Sequence, residues 1–342
     1  MKITMIGASG SGKTSYMSAL HDSLTSDSPM GFQINPAGYN IDENMITKGI
    51  WSSLRGGKFP NATYNTTLWS FDLKHNGKFV CNFEMMDYRG ELLSVPSGEL
   101  SNKTAVDDFN ELLSHIAISD AVIIFADSFL LSQDSLDKAR ISTGAQTINT
   151  ILSTLYGTFP QKELIFVIAL TKVDMVESKW KQNDYQPLIM RGLEIFSPLV
   201  NICRKNPAWI GGIVPISVLG EGNAKYSIER PENLLSLTEI TSVPRPLNVM
   251  YPLFFCLQAS LTGQARLIQK DFEQRTRNLE KALKQSSLLR KMWSFLTKEP
   301  SAENITKALV ERQQSEYLSL RQYESYLAPL FASANSKVEK IL

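Results

Sequence analysis

Apolar runs alternate with amphipathic stretches along the first 220 residues of this 342-residue chain. Ile3 to Ile6 is a short apolar run of buried-strand type, and Tyr16, Met17, Leu20 and Leu24 then recur at helical spacing. A long polar, Gly/Pro-containing region covers 26–61, with a short helix expected around 41–54. Thr66 to Leu73 alternates, His75-Asn76-Gly77 turns, and Lys78 to Met86 returns, which predicts a β-hairpin. An amphipathic helix is expected over 104–118. The continuous apolar runs at 121–126 and 164–170 predict strands buried on both faces, with a helix near 140–156 between them. A helix near 185–204 leads into a last strand at 212–216.

This order predicts an α/β fold: a mostly parallel sheet with one antiparallel hairpin strand and helices on both faces. Past Gly220 the pattern changes. Residues 221–247 are polar and proline-punctuated and read as a connector. From 248 to 342 the chain reads as helical and packed on the first domain, with a break at Lys298-Glu299-Pro300 and Ser301 as an N-cap, so a helical hairpin is expected there. The expected organisation is therefore 1–220, 221–247 and 248–342.

Composition narrows the classes. Apolar residues make up 43% and charged residues 20%, ordinary for a globular protein, and a formal charge of +1 gives no drive towards nucleic acid. No apolar run is long enough to span a bilayer, and no leader precedes the first strand, so a cytoplasmic protein without membrane association is expected. Cys81, Cys203 and Cys256 are odd in number and far apart, which fits a reducing compartment and not a disulfide framework. His21, His75 and His115 have no partners at metal-ligand spacing, so no zinc site is expected. The basic tail, with Trp293 and Phe295, reads as an amphipathic helix whose lysines face water.

The chemistry starts at residue 7. Gly7-Ala-Ser9-Gly10-Ser11-Gly12-Lys13-Thr14, followed by Ser15, stands between the first strand and the first helix. Glycines at these positions let backbone N–H groups and a helix N-terminus surround a polyphosphate. Lys13 would reach the β- and γ-phosphates, and Thr14 would ligate Mg²⁺. Three further patterns each follow a predicted strand. Asp87-Tyr-Arg-Gly90 supplies a carboxylate for Mg²⁺ and an N–H at Gly90 for the γ-phosphate. Thr171-Lys172-Val-Asp174 supplies a carboxylate that can accept from guanine N1–H and its amine, with Lys172 lying along the base. Pro215-Ile-Ser217-Val218-Leu-Gly220 offers the N–H groups of Ser217 and Val218 to guanine O6.

With these four motifs in this order, residues 1–220 resemble a Ras-like P-loop GTPase of the translation-factor and Ras-related class. Thr171 stands where that family more often has Asn. The segment Gly56-Gly-Lys-Phe-Pro-Asn-Ala-Thr63 and the sequence Asp87-Tyr-Arg-Gly-Glu91 resemble the bacterial double-GTPase type, which implies a role in bacterial signalling or defence. The resemblance implies GTP and GDP with Mg²⁺ as ligands. It also implies Thr63 as the switch threonine on the metal, with Thr66 as the alternative, and segments 40–66 and 88–104 that reorder between states. The partners implied are a protein effector or activator, or a second copy of the chain.

Two departures bear on catalysis. Glu91 stands where Ras-type proteins carry the water-orienting Gln, and Ser9 occupies a loop position that is glycine in Ras itself. Slow intrinsic hydrolysis follows from both. Arg89 and Arg55 could supply a cis arginine, but read more simply as surface residues. Two rivals stand beside the GTPase reading: a hydrolysis-deficient GTP-binding scaffold acting through its tail, and an ATP-using P-loop enzyme. In the second, Ala121 to Asp127 would be the metal-binding strand, leaving the other motifs unexplained.

Overall fold

The computed structural model describes residues 1–25, 31–37, 49, 51–56, 66–88, 93, 103–228, 235–263, 327–328, 331–332 and 335–341. The chain divides into two compact units, Met1–Cys256 with Ala334–Leu342, and Leu257–Ser333. In the second unit, the described residues 257–263, 327–328 and 331–332 are helical, and the hairpin expected around 298–301 lies outside the described residues.

The first unit is a mixed α/β layer structure around a mostly parallel sheet. Its strands are β1 Lys2–Ile6, β2 Phe32–Pro36, β3 Thr67–His75, β4 Lys78–Asp87, β5 Ala121–Asp127, β6 Leu164–Thr171, β7 Trp209–Pro215 and β10 Glu339–Ile341, in the order β10-β7-β6-β5-β1-β4-β3-β2. β4, β1, β5, β6 and β7 pair in parallel, while β3 and β10 run against their neighbours. A second sheet is the hairpin β8 Ala224–Ile228 with β9 Leu235–Ile240, inside the stretch expected to be a plain connector.

β5 and β6 are buried at every position, which is why their sequences are unbroken apolar runs. Among the described residues, the helices between these strands include α1 Lys13–Thr25, α2 Lys103–Ile118, α3 Ser128–Leu131, α4 Leu136–Ser142, α5 Ala145–Thr158, α6 Gln182–Ile195 and α7 Ser197–Lys205. On one face, Leu112, Ile148, Leu152, Leu188 and Leu199 pack with Ile6, Ile124, Phe166 and Ile168. On the other, Tyr16 of α1 stands edge-on to Phe125, ring centroids 5.0 Å apart, and Phe254, in a helix starting at 251, meets Phe32 at 5.6 Å. Each such fully buried side chain contributes about 1.5–3 kcal/mol.

The β3–β4 turn is Asn76-Gly77, both residues at positive φ (48° and 77°), the twist that a two-residue hairpin loop needs. Three expectations are corrected. The polar region 26–61 contains β2, whose Phe32 and Ile34 are buried. The single helix expected over 185–204 is α6 and α7, because Pro198 lacks an N–H and starts a new first turn. The chain end, read as helical, closes on the sheet as β10. There Val338 lies over Gly212, where a Cβ would stand 2.7 Å from Val338 Cγ1, and β10 covers the β7 edge. Among the described residues no helix is long and apolar enough to cross a membrane.

Candidate functional site

β1 has β4 on one side and β5 on the other, so the chain leaves β1 at the point where strand order reverses. In parallel sheets, the crevice beyond the carboxyl ends of such strands is where ligands bind. The four motifs follow β1, β4, β6 and β7, strands that are all parallel, so the sheet brings them to one rim.

At the end of β1 the backbone conformation requires glycine three times. A Cβ on Gly7 would stand 2.6 Å from the Phe125 carbonyl oxygen and 2.7 Å from Ser11 Oγ. Gly10 and Gly12 have φ of 74° and 96°, the left-handed region that only glycine enters freely. Ser11 N–H closes the loop on the Ala8 carbonyl at 3.1 Å, and Tyr16 N–H to the Gly12 carbonyl at 2.8 Å opens α1. Ser9 and Gly10 are exposed at the crown of the loop, while Ser11 and Ser15 are buried. Ser11 Oγ has no hydrogen-bond partner among the described residues. Lys13 is nearly buried and donates from Nζ to the Gly7 carbonyl at 2.8 Å and the Ala8 carbonyl at 3.5 Å.

Thr14 Oγ1 donates to Asp87 Oδ2 at 2.7 Å, joining the ends of β1 and β4. Burial pushes the Asp87 carboxyl pKa up, against the opposing pull of the Lys13 ammonium and the Thr14 hydrogen bond. Burial likewise lowers the Lys13 pKa, and Asp87 partly offsets it. Two oxygen donors touching each other beside an ammonium are a hard-cation donor set, suited to Mg²⁺ shared with phosphate oxygens. Among the described residues no group of three or more His, Cys, Asp or Glu side chains gathers as a metal cluster, and a phosphate-bound Mg²⁺ does not require one. Thr67 is the register partner of Asp87, so Thr66 sits at this rim. Thr63, Arg89, Gly90 and Glu91 lie outside the described residues. Arg55 pairs with Asp22 at 3.1 Å and lies 5.6 Å from the centre of the Trp51 ring, a surface arrangement.

At the ends of β6 and β7 a second constellation forms. Ser217 Oγ donates to Asp174 Oδ1 at 2.6 Å and accepts from Gly220 N–H at 2.7 Å. Lys172, at φ 56°, turns its Nζ onto Asp127 Oδ2 at 2.5 Å, and Thr171 Oγ1 reaches the Ala126 carbonyl at 3.3 Å. Segment 245–248 braces the loop: Arg245 N–H bonds the Leu219 carbonyl at 2.8 Å, and Asn248 Nδ2 bonds the Pro215 carbonyl at 2.9 Å. Gly220 is held so close that a Cβ would stand 2.3 Å from the Arg245 carbonyl oxygen.

The backbone of Ser217 is engaged within the protein. Its N–H bonds the Leu247 carbonyl at 3.0 Å and its hydroxyl the Asp174 carboxylate; Val218, half-buried, follows it. Sequence reasoning weighed Asp127 only as the end of a metal-binding strand in the ATPase rival, not as a partner of Lys172. Its Oδ1 caps α3 through Phe129 and Leu130 N–H, while Oδ2 holds Lys172. The only signal was an Asp closing a buried strand, which capping alone would explain.

No family model matches the chain, and no curated protein matches it. Among solved structures it is similar to a chain in the signal recognition particle receptor SRb-GTP/SRX complex from Chaetomium thermophilum. That likeness has 13% identity and a TM-score of 0.34, over 65% of this chain and 95% of the other.

Proposed function

We propose that this chain binds GTP and GDP with Mg²⁺ and hydrolyses GTP slowly, as a molecular switch. The observation that carries the reading is the Asp174 carboxylate, fixed by Ser217 on the same sheet rim as the Lys13 loop. A carboxylate accepts from two adjacent donors, and guanine presents N1–H and an amine there, whereas adenine presents an acceptor. Lys172, oriented by Asp127, lies along the base, and the Val218 N–H is assigned to O6.

At the phosphate end, Gly7 to Gly12 present backbone N–H groups to the polyphosphate. Lys13 exchanges its carbonyl contacts for phosphate oxygens, and Ser15 stands at the first turn of α1. Thr14 and Asp87 would hold the cation, with Thr63 or Thr66 as the further ligand. The cation neutralises charge on the phosphates when bound. Gly90 N–H would meet the γ-phosphate, and Glu91 would orient the attacking water less well than an amide, which makes intrinsic turnover slow. A second reading, a GTP-binding scaffold without turnover, draws its support from Glu91 alone. An effector, an activating protein or a second copy of the chain would act on the segments that reorder.

The test is equilibrium binding of GTP, GDP and ATP with and without Mg²⁺, together with phosphate release, on the full chain and on Lys13→Ala. Mg²⁺-dependent guanine binding with slow release, both lost in Lys13→Ala, is expected. Binding without release would favour the scaffold, and a preference for ATP would overturn the assignment.

A further inference from the structure

The two loops that would read the base belong to different strands, and a second side chain joins them besides Ser217. Lys181 caps the short turn Ser178–Trp180 with its backbone N–H on the Ser178 carbonyl at 3.1 Å, so its position is set locally. From there its ammonium donates to the Asp174 backbone carbonyl at 3.0 Å and pairs with the Glu221 carboxylate. Glu221 follows Gly220 directly, at the end of the loop that carries Ser217. Asp174 is thus held twice, by Ser217 at its carboxylate and by Lys181 at its carbonyl.

The surroundings make the ammonium matter. Tyr185 stands close enough to Glu221, Asp174 and Asp184 for their charges, after burial, to push its hydroxyl pKa up. Three carboxylates therefore gather on this side of the base loops. Lys337 pairs with Asp184 at 3.6 Å, and Lys181 pairs with the Glu221 carboxylate while donating to the Asp174 backbone carbonyl. Without Lys181, the Ser217–Asp174 hydrogen bond and the Val173 N–H to Ile216 carbonyl bond would still tie the loops near their strand ends, but Glu221 would lose its link to the Asp174 loop.

Resting on the guanine-nucleotide reading above, we propose that Lys181 and Glu221 form a clasp that sets how long the nucleotide stays. Both are positioning residues, acting through Asp174 and the Ser217–Gly220 loop. The pair is partly exposed, at 25% and 55%, so its effect is moderate. A clasp that closes behind the base acts on release and leaves encounter nearly unchanged.

The experiment is displacement of a fluorescent GDP from the full chain in stopped flow, for wild type, Lys181→Ala, Glu221→Ala, the double variant and Lys181→Arg. Each alanine variant should release GDP about fivefold faster with an association rate like wild type, a factor set by the upper range for such ion pairs. The double variant should be no faster than the faster single, and Lys181→Arg should restore slow release, since a guanidinium can make both contacts. Thermal melting of the same variants separates a loss of clasp from a loss of fold. Wild-type GDP binding with unchanged release in the alanine variants, or single effects that multiply in the double, would overturn the clasp and leave the nucleotide reading intact. No GDP binding by wild type would instead overturn both.

Discussion

At the end of β1, Lys13 and Asp87 are buried beside each other, and burial pushes both towards their neutral forms. At the ends of β6 and β7, the polar groups are joined across loops instead: Ser217 to Asp174, Gly220 to Ser217, Lys172 to Asp127, Leu247 to Ser217. The first region holds charge under tension, its ammonium resting on its own loop's carbonyls. The second is a framework whose geometry is set before any base arrives. Preorganised donors and acceptors give discrimination without an ordering cost, whereas compensated buried charges give strength once a polyanion and a cation replace the internal contacts. On the guanine-nucleotide reading proposed above, choice of nucleotide would lie at one end of the rim and most of the affinity at the other.

The sharpest way to break that division is Asp174→Asn. An amide offers one acceptor and a donor where guanine needs two acceptors, so preference should move from guanosine to xanthosine nucleotides by about ten-thousandfold, in line with sites whose buried polar groups lose their partners. Competition binding with the two nucleotides measures it. Equal loss for both would mean that Asp174 only supports its loop, and that the base end is not the selective one.

The legible parts of the molecule are those fixed by neighbours in sequence. Gly7 to Thr14 announces its loop because the glycines that the backbone needs sit within eight residues of each other, and Asn76-Gly77 announces its hairpin by φ alone. The unbroken runs of β5 and β6 follow from burial on both faces. What the sequence hides depends on distant pairing. β2 rests on Phe32 and Ile34 in a polar stretch, and becomes a strand only against β3. β10 is three residues long and exists through its register with Gly211, Gly212 and Ile213. The Ser217 N–H could have served a ligand until Leu247, thirty residues on, took it. Asp127 acquires its second role only because β6 lies next to β5.

That second role makes Asp127→Asn a finer probe of the base end. Asparagine caps a helix nearly as well as aspartate, so α3 should keep its start, while the charge opposite Lys172 is lost. Guanine nucleotide affinity should fall about tenfold with little change in melting temperature, as expected for one partly buried charge-assisted bond. Calorimetric binding alongside a thermal melt would separate the two effects. A fall in stability without a fall in affinity would assign Asp127 to the cap alone.

The last probe tests the phosphate end through pH. Asp87 has a raised pKa, so between the ordinary carboxylate value and the raised one the folded chain keeps a proton that the unfolded chain has released. Its contribution to stability is therefore present at low pH and is lost as pH rises through that window. Lys13 has a lowered pKa, so between the lowered value and the ordinary one the folded chain has released a proton that the unfolded chain keeps, and its contribution grows as pH rises. Acidification should then weaken the Mg²⁺-dependent part of GDP affinity from a pH above the ordinary carboxylate range, by up to about tenfold per pH unit once Asp87 is mostly protonated. GDP titrations with and without Mg²⁺ over a pH series, for wild type and Asp87→Asn, would show this as a slope in the first and a flat line in the second. A wild-type curve that stays flat down into the ordinary carboxylate range would mean that Asp87 takes its proton no earlier than an exposed carboxylate, and the contrast between a strained phosphate end and a relaxed base end would fall.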